Sequence, residues 1–264
     1  MIVFITGISS GFGLETAKLL SRQGYTVYGT VRRDVDLPPD IFCLKVDVRD
    51  HEAVEAAVAE IIEREGRIDV LVNNAGMGIC GPLEFNSEEE IHLQMDTNFM
   101  GLVHCVDVVL PHMRRQGSGK IIAISSIGGL MGLPFQGYYS ASKFAVEGYC
   151  EALRLETKPF GITVTVIRPG DFATSFTTSR KKNTDEAAFL TYPAYQKSID
   201  KVEHDEANGL NPRLLARKIS KVIQKKHPRY GYVVSSCEQH LSIILKRVLP
   251  DRWFAAILRK YYCV

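Results

Sequence analysis

Apolar residues in this chain gather in short runs that do not alternate with polar ones. The runs fall at 2–6, 25–30 (YTVYGT), 41–46 (IFCLKV), 69–73 (DVLVN), 120–125 (KIIAIS), 162–167 (ITVTVI) and 230–234 (YGYVV). Continuous β-branched runs of this length suit strands buried on both faces. Between them lie stretches of helical period near 13–23, 51–65, 87–116, 138–158 and 212–226. Strand-helix alternation kept up through a whole chain predicts an α/β fold: a single doubly wound domain whose parallel seven-stranded sheet carries helices on both faces. Two regions leave the pattern. Residues 171–211 form a long polar connection containing Arg180-Lys181-Lys182-Asn183 and are expected to be a loop-rich lid. Residues 235–264 run past the last strand as a C-terminal amphipathic helical extension of the same domain, whose main body is 1–234.

Bulk numbers narrow the class. A chain of 264 residues with 45% hydrophobic and 23% charged content is ordinary for one soluble domain with a sizeable core. The 32 basic and 30 acidic residues nearly cancel, so no global charge points to nucleic acid. Six scattered cysteines with no C-x-x-C pair read as reduced thiols. No apolar stretch approaches the roughly 18 residues of a membrane span, and the first strand begins almost at Met1 with no signal peptide before it. The expected location is cytoplasmic. His51, His92, His104 and His112 show no metal-ligand spacing, so no metal is expected.

The chemistry begins with MIVFITGISSGFG. A chain leaving a strand must turn sharply if a pyrophosphate is to reach the next helix N-terminus. Gly7, Gly11 and Gly13 remove the side chains that would obstruct it, with Ser9, Ser10 and Phe12 between them. The end of the second strand reports on the adenosine ribose. Enzymes that take the unphosphorylated ribose usually carry Asp or Glu there, but this chain has Thr30-Val31-Arg32-Arg33 and no acid before Asp34. A guanidinium binds a 2′-phosphate by a forked hydrogen-bond pair. Arg32, helped by the Ser10 hydroxyl, therefore predicts NADP(H) rather than NAD(H).

A second constellation lies at Tyr139-Ser140-Ala141-Ser142-Lys143. Residues i and i+4 share a helix face, so the Tyr139 phenol and the Lys143 ammonium address one small volume. A free phenol has a pKa of about 10, and bringing it near 7 takes roughly 4 kcal/mol of phenolate stabilisation. A nearby ammonium and an oxidised nicotinamide are the expected sources. Tyr138 has Ser142 four residues on and lacks that partner. Strand five ends in Ser125-Ser126, at the sheet edge where open α/β folds bind ligands. Alternation along a strand predicts that only one of the two serines faces the site.

Together these pieces resemble the short-chain dehydrogenase/reductase family over about residues 1–234. The matching segments are TGISSGFG, Asp47-Val48, NNAG at 73–76, Asn98, Ser126, YSASK at 139–143 and RPGDFAT at 168–174. The family's thirteen-residue spacing from serine to tyrosine selects Ser126 over Ser125. The resemblance implies a Rossmann-fold oxidoreductase with Tyr139 as general acid/base and Ser126 bonded to the carbonyl or alcohol. It implies that Lys143 holds the nicotinamide ribose and lowers the Tyr139 pKa, and that Asn98 anchors a relay water through its backbone. Asp47 and Val48 would contact the adenine, while Asn74, Ala75 and Gly76 line the adenosine ribose. Pro169, Gly170 and Thr174 would approach the carboxamide.

TGISSGFG with VYGTVRR looks most like the 17β-hydroxysteroid and retinol dehydrogenase branch, which implies interconversion of a ketone and a secondary alcohol on an apolar substrate. NAD-dependent oxidation of a hydroxysteroid or retinol stands as the alternative. A non-catalytic dinucleotide sensor stands further off, since such proteins usually lose the tyrosine or lysine present here. Phe172, Phe176, Phe189, Leu190, Tyr192 and Tyr195 would either cover the substrate or pack the lid onto its own body. Residues 245–264 (LKRVLPDRWFAAILRKYYCV) are basic and amphipathic, and either lie on an anionic membrane surface or pack against core and lid. Family members commonly form homodimers through the helices near 98–116 and 138–158.

Overall fold

The computed structural model describes all residues, Met1–Val264. Seven strands build one parallel sheet: β1 Ile2–Ile5, β2 Thr26–Val31, β3 Ile41–Lys45, β4 Val70–Asn73, β6 Gly119–Ile124, β7 Ile162–Pro169 and β9 Gly231–Val234. Their spatial order is β3-β2-β1-β4-β6-β7-β9, and every pairing is parallel. The direction of strand addition reverses between β1 and β4, which opens a crevice at the carboxyl edge. Two further strands of two residues each, β5 Ile79–Cys80 and β8 Lys181–Lys182, pair with each other outside this sheet. The predicted runs sit within two residues of the observed strands.

Both sheet faces are dry, as the unbroken apolar runs require. Phe4, Leu71 and Ile121 point to one side, where α2 (His51–Glu65), α4 (Gly101–Gln116) and α5 (Gly137–Thr157) supply Val54, Val106 and Val146. Val3, Ile5, Val70 and Val72 point to the other. There they meet Ala17 and Leu20 of α1 (Gly11–Arg22) with Leu215 and Ile219 of α9 (Pro212–Gln224). The predicted helix at 87–116 is α3 (Glu88–Met95) running into α4 through a π-helical turn at Asp96–Met100. Such turns often mark functional positions, and this one carries Asn98.

One expectation needs correction. Residues 171–211 are mostly helical, not loop-rich: α6 (Ser175–Thr178), α7 (Glu186–Thr191) and α8 (Ala194–Ala207) fill them. Each helix is short or polar, so its buried stripe is too narrow to show as a periodic signal. Within this lid, Phe189, Tyr192 and Tyr195 pack on Phe135 and Cys80, and Leu190 is exposed, while Phe172 and Phe176 reach the interior cavity. The C-terminal extension is helical, as expected, in two pieces. α10 (Cys237–Val248) and α11 (Asp251–Tyr261) are divided at Leu249-Pro250, where the proline disfavours helix in its predecessor. Ile243 and Phe254 bury against Ile127 and Met131, and the backbone N–H of Asp171 donates to Gln239 Oε1 at 3.1 Å. The extension is thus tied to the end of β7. No helix is long and apolar enough to cross a membrane.

Candidate active site

The glycine turn is built for close approach. Gly7 and Gly11 both hold positive φ, +72° and +56°, which glycine adopts without strain. Gly13 serves packing: a Cβ there would stand 2.1 Å from the Gly7 carbonyl oxygen. Helix α1 then starts with no side-chain cap from Ser10 and no acid in its first turn. Helix α2, by contrast, is capped by Asp50 and α3 by a reciprocal Ser87–Glu90 pair. An uncapped N-terminus leaves its amides and positive partial charge to a ligand.

The turn is held from behind by hydrogen bonds of Thr6, Thr30 and Asn74. Thr6 Oγ1 accepts from the backbone N–H groups of Asn74 and Ala75, both at 2.9 Å. Thr30 Oγ1 accepts from the N–H of Gly7 at 3.0 Å. Asn74 Nδ2 donates to the carbonyls of Thr6 and Gly7 at 2.9 Å each, so its side chain fastens β4 to the turn.

A groove of about 770 Å³ follows this edge, lined by Gly7, Ser9, Ser10, Gly11, Phe12, Arg32, Asp47, Val48, Asn74, Ala75, Gly76 and Thr174. Those are the positions expected to hold a dinucleotide, with Gly13 packed beneath them. Arg33 lines the groove as well. Neither Arg32 nor Arg33 takes part in any ion pair, whereas Asp34 pairs with Lys45 and Asp47 with Arg49. The Arg49 hydrogen bonds hold the Asp47 carboxyl below its ordinary range, and Arg32 adds to the effect. The end of β2 therefore offers two free guanidinium groups and no free carboxylate.

Pro169 and Gly170 lie deeper, in a smaller adjoining cavity of about 110 Å³ that also takes in Ser126, Tyr139 and Lys143. The expected trio thus shares one enclosure. Lys143 Nζ donates to the Ile124 carbonyl at 3.0 Å and stands 5.8 Å from the centre of the Tyr139 ring. Asn98 is behind them and lines neither cavity. Its Oδ1 accepts from the Met77 N–H at 2.8 Å, and its Nδ2 donates to the Met77 carbonyl and to Ser142 Oγ at 3.0 and 3.1 Å. Ser142 in turn donates to the Tyr139 carbonyl at 2.7 Å. Asn98 therefore joins the π-helical turn to the start of α5, beneath Gly76, where a Cβ would come 3.3 Å from its Oδ1.

Both serines at the end of β6 border the cavity, so alternation alone does not separate them. The distinction lies in their partners. Ser126 accepts from the Gly128 N–H at 3.0 Å and acts to lower the Tyr139 pKa, while the buried Ser125 hydroxyl has no partner and abuts Gly129.

Burial pushes the Tyr139 pKa up to about 12 against the opposing pull of Ser126. Burial also brings Lys143 down to about 8. Desolvation of the phenolate is the dominant influence on Tyr139. A proton on Tyr139 at neutral pH suits an acid better than a base.

The remaining wall divides by polarity. Phe12, Ile127, Leu133, Phe172, Phe176 and Val202 are apolar, and Phe176 lies 5.8 Å from the Tyr139 ring. Asp171, Asp205 and Glu206 are acidic and line the same cavity, beside Tyr261 and Tyr262 from α11. Glu206 pairs with the buried Arg180, and Asp205 pairs with Lys201 and accepts from the Tyr261 hydroxyl at 2.7 Å. Asp171 has no cationic partner. Burial first, then the charge of Glu206, lifts its pKa to about 6. Asp171 stands in the RPGDFAT segment, but nothing in the pattern around 205–206 marks a cavity wall.

The scan against family models matches residues 1–185 to the short chain dehydrogenase model. The chain belongs to the short-chain dehydrogenase family. It is an oxidoreductase of a family that binds a nicotinamide dinucleotide, and the cradle just described is where this short-chain dehydrogenase presents its glycine turn. Across its whole length the chain is 47% identical to a 3-ketodihydrosphingosine reductase of Bacteroides thetaiotaomicron, covering 98% of that protein. It is 42% identical over 191 residues, 66% of this chain and 58% of the relative, to human 17-beta-hydroxysteroid dehydrogenase type 1. Among solved structures, a short-chain dehydrogenase from Streptomyces avermitilis superposes with a TM-score of 0.83 at 28% identity, covering 98% of this chain and 95% of that one.

Proposed function

We propose that this enzyme uses NADPH to reduce a long-chain amino ketone of the sphingoid type to the corresponding amino alcohol. The observation that carries the reading is the shared cavity, in which Tyr139 and Ser126 face both an apolar wall and the carboxylates of Asp171, Asp205 and Glu206. Glu206 and Asp205 already pair with Arg180 and Lys201, whereas a neutral steroid ketone leaves the part-buried Asp171, the one of the three without a cationic partner, uncompensated. An ammonium beside the ketone compensates it. A 3-ketodihydrosphingosine has that make-up, an amine next to a ketone on a long alkyl chain, and the relative matched over the full chain bears that name.

Gly7, Gly11 and the open end of α1 would hold the pyrophosphate, Arg32 the 2′-phosphate, Asp47 and Val48 the adenine, and Pro169, Gly170 and Thr174 the carboxamide. When bound, NADPH supplies the hydride that reaches the carbonyl carbon. Tyr139 Oη gives its proton to the carbonyl oxygen as the C–H bond forms, and Ser126 Oγ hydrogen-bonds that oxygen as it gains charge. Lys143 keeps a positive charge beside the phenol. A cavity of about 110 Å³ is small for a long-chain ketone, so entry of the substrate requires side chains of the lid or of α11 to move.

The test compares NADPH oxidation with a long-chain 2-amino-3-ketone and with its N-acetyl derivative. The free amine should be favoured by about tenfold or more in kcat/KM, as a charge-assisted contact warrants, and equal values sink the reading. Asp171→Asn should erase most of that preference through KM. With Asp171 titrating at about 6, its carboxylate is charged above that pH. The KM for the amine should therefore fall as pH rises through 6, while the KM for the N-acetyl ketone stays flat.

A further inference from the structure

Helices α10 and α11 each bury one apolar stripe and expose another. Inward go Ile243 of α10 and Phe254 and Leu258 of α11, onto Ile127 and Met131. Outward stand Leu241, Ile244 and Val248, spaced three and four apart on α10, and Trp253 and Ile257, four apart on α11. A large indole that is 57% exposed, in line with four exposed aliphatic side chains, is an unusual surface for water. Around it residues 237–264 carry five cations (Lys246, Arg247, Arg252, Arg259 and Lys260) and two acids (Glu238 and Asp251). Only Lys246 is ion-paired, to Asp251.

We propose that this outer face of the α10–α11 hairpin docks on an anionic lipid surface. Charge complementarity singles out that occupant. Four unpaired cations beside an apolar stripe fit a layer of anionic headgroups over acyl chains. A second copy of the chain would set the same cations against each other across a two-fold contact. The arrangement also has a use. The C-terminal end of α11 brings Tyr261, which continues the Trp253–Ile257 stripe, and Tyr262 just past it to the wall of the cavity that holds Tyr139. The outward stripe thus runs from the lipid-facing surface to the rim of the substrate cavity, so a lipid-like substrate has a short path between them.

This docking is independent of which ketone the enzyme reduces, and its test uses no substrate of that kind. Trp253 is the only tryptophan of the chain, so its fluorescence reports this face alone. Full-length protein is mixed with vesicles of phosphatidylglycerol and phosphatidylcholine, and with phosphatidylcholine alone. Emission should shift to the blue, and protein should co-sediment, with the anionic vesicles only. Salt at 1 M should release it, since the screening length falls to about 3 Å. A variant carrying Leu241→Ser, Ile244→Ser, Val248→Ser and Ile257→Ser should bind about tenfold or more weakly. A second carrying Arg252→Glu and Arg259→Glu should do the same, and both should reduce a water-soluble ketone at the rate of the parent. Absence of any shift with anionic vesicles overturns the proposal. Equal binding to both vesicle types, or unchanged binding in both variants, overturns it as well. Concentration-dependent dimers that the serine variant abolishes, without lipid binding, would assign the face to a second copy instead.

Discussion

Tyr139→Phe should reduce turnover with NADPH by about a thousandfold, the middle to upper part of what a positioned proton donor contributes. Only the phenol oxygen is removed. The ring still packs against Phe176, and Asn98 donates to Ser142, which donates to the Tyr139 backbone carbonyl, a contact the substitution leaves alone. The NADPH dissociation constant should therefore move by less than about threefold, and thermal stability should hold or rise slightly, because a buried hydroxyl is no longer desolvated. Stopped-flow measurement of a single turnover, with NADPH fluorescence titration in parallel, separates the two effects. A variant that keeps a tenth or more of the parental rate would exclude the phenol as proton donor.

Arg32→Glu should weaken NADPH binding by about a hundredfold. A forked guanidinium–phosphate contact contributes about 1.5–3 kcal/mol, and each 1.4 kcal/mol is a factor of ten. Charge reversal adds repulsion to that loss. NADH, which lacks the 2′-phosphate, should bind within about threefold of its parental affinity. The structure raises a competitor, since Arg33 borders the same groove and is also free of ion pairs. Arg33→Glu is thus the matched control, with a smaller expected effect. Isothermal titration with both cofactors against both variants gives the answer. Equal losses for NADPH and NADH, or a larger loss from Arg33→Glu, would remove Arg32 from the 2′-phosphate.

The readings that held rest on patterns confined to a few neighbouring residues. Unbroken apolar runs require strands covered on both sides, and Phe4 with its neighbours Val3 and Ile5 feeds two separate cores. Glycine spacing after β1 reports a backbone path, and Gly7 and Gly11 do take left-handed φ. Tyr139 and Lys143 meet because four residues make about one helical turn. None of these needs knowledge of a distant partner.

What escaped such reading depends on contacts between segments far apart in the chain. How far burial raises the Tyr139 pKa is set by how completely lid, β6 and α5 exclude water from it. The acids Asp205 and Glu206 and the tyrosines 261 and 262 look like surface residues of polar helices until α8 and α11 are folded over the end of β7. The lid itself reads as loop because its helices are short and are held by tertiary contacts more than by periodic apolar faces. The positions of strands and helices, the glycine turn and the helical pairing are local consequences of the residues. Solvent exclusion and the electrostatic character of the substrate cavity arise only when remote elements close on one another, since desolvation and charge depend on everything within several ångströms and not on position along the chain.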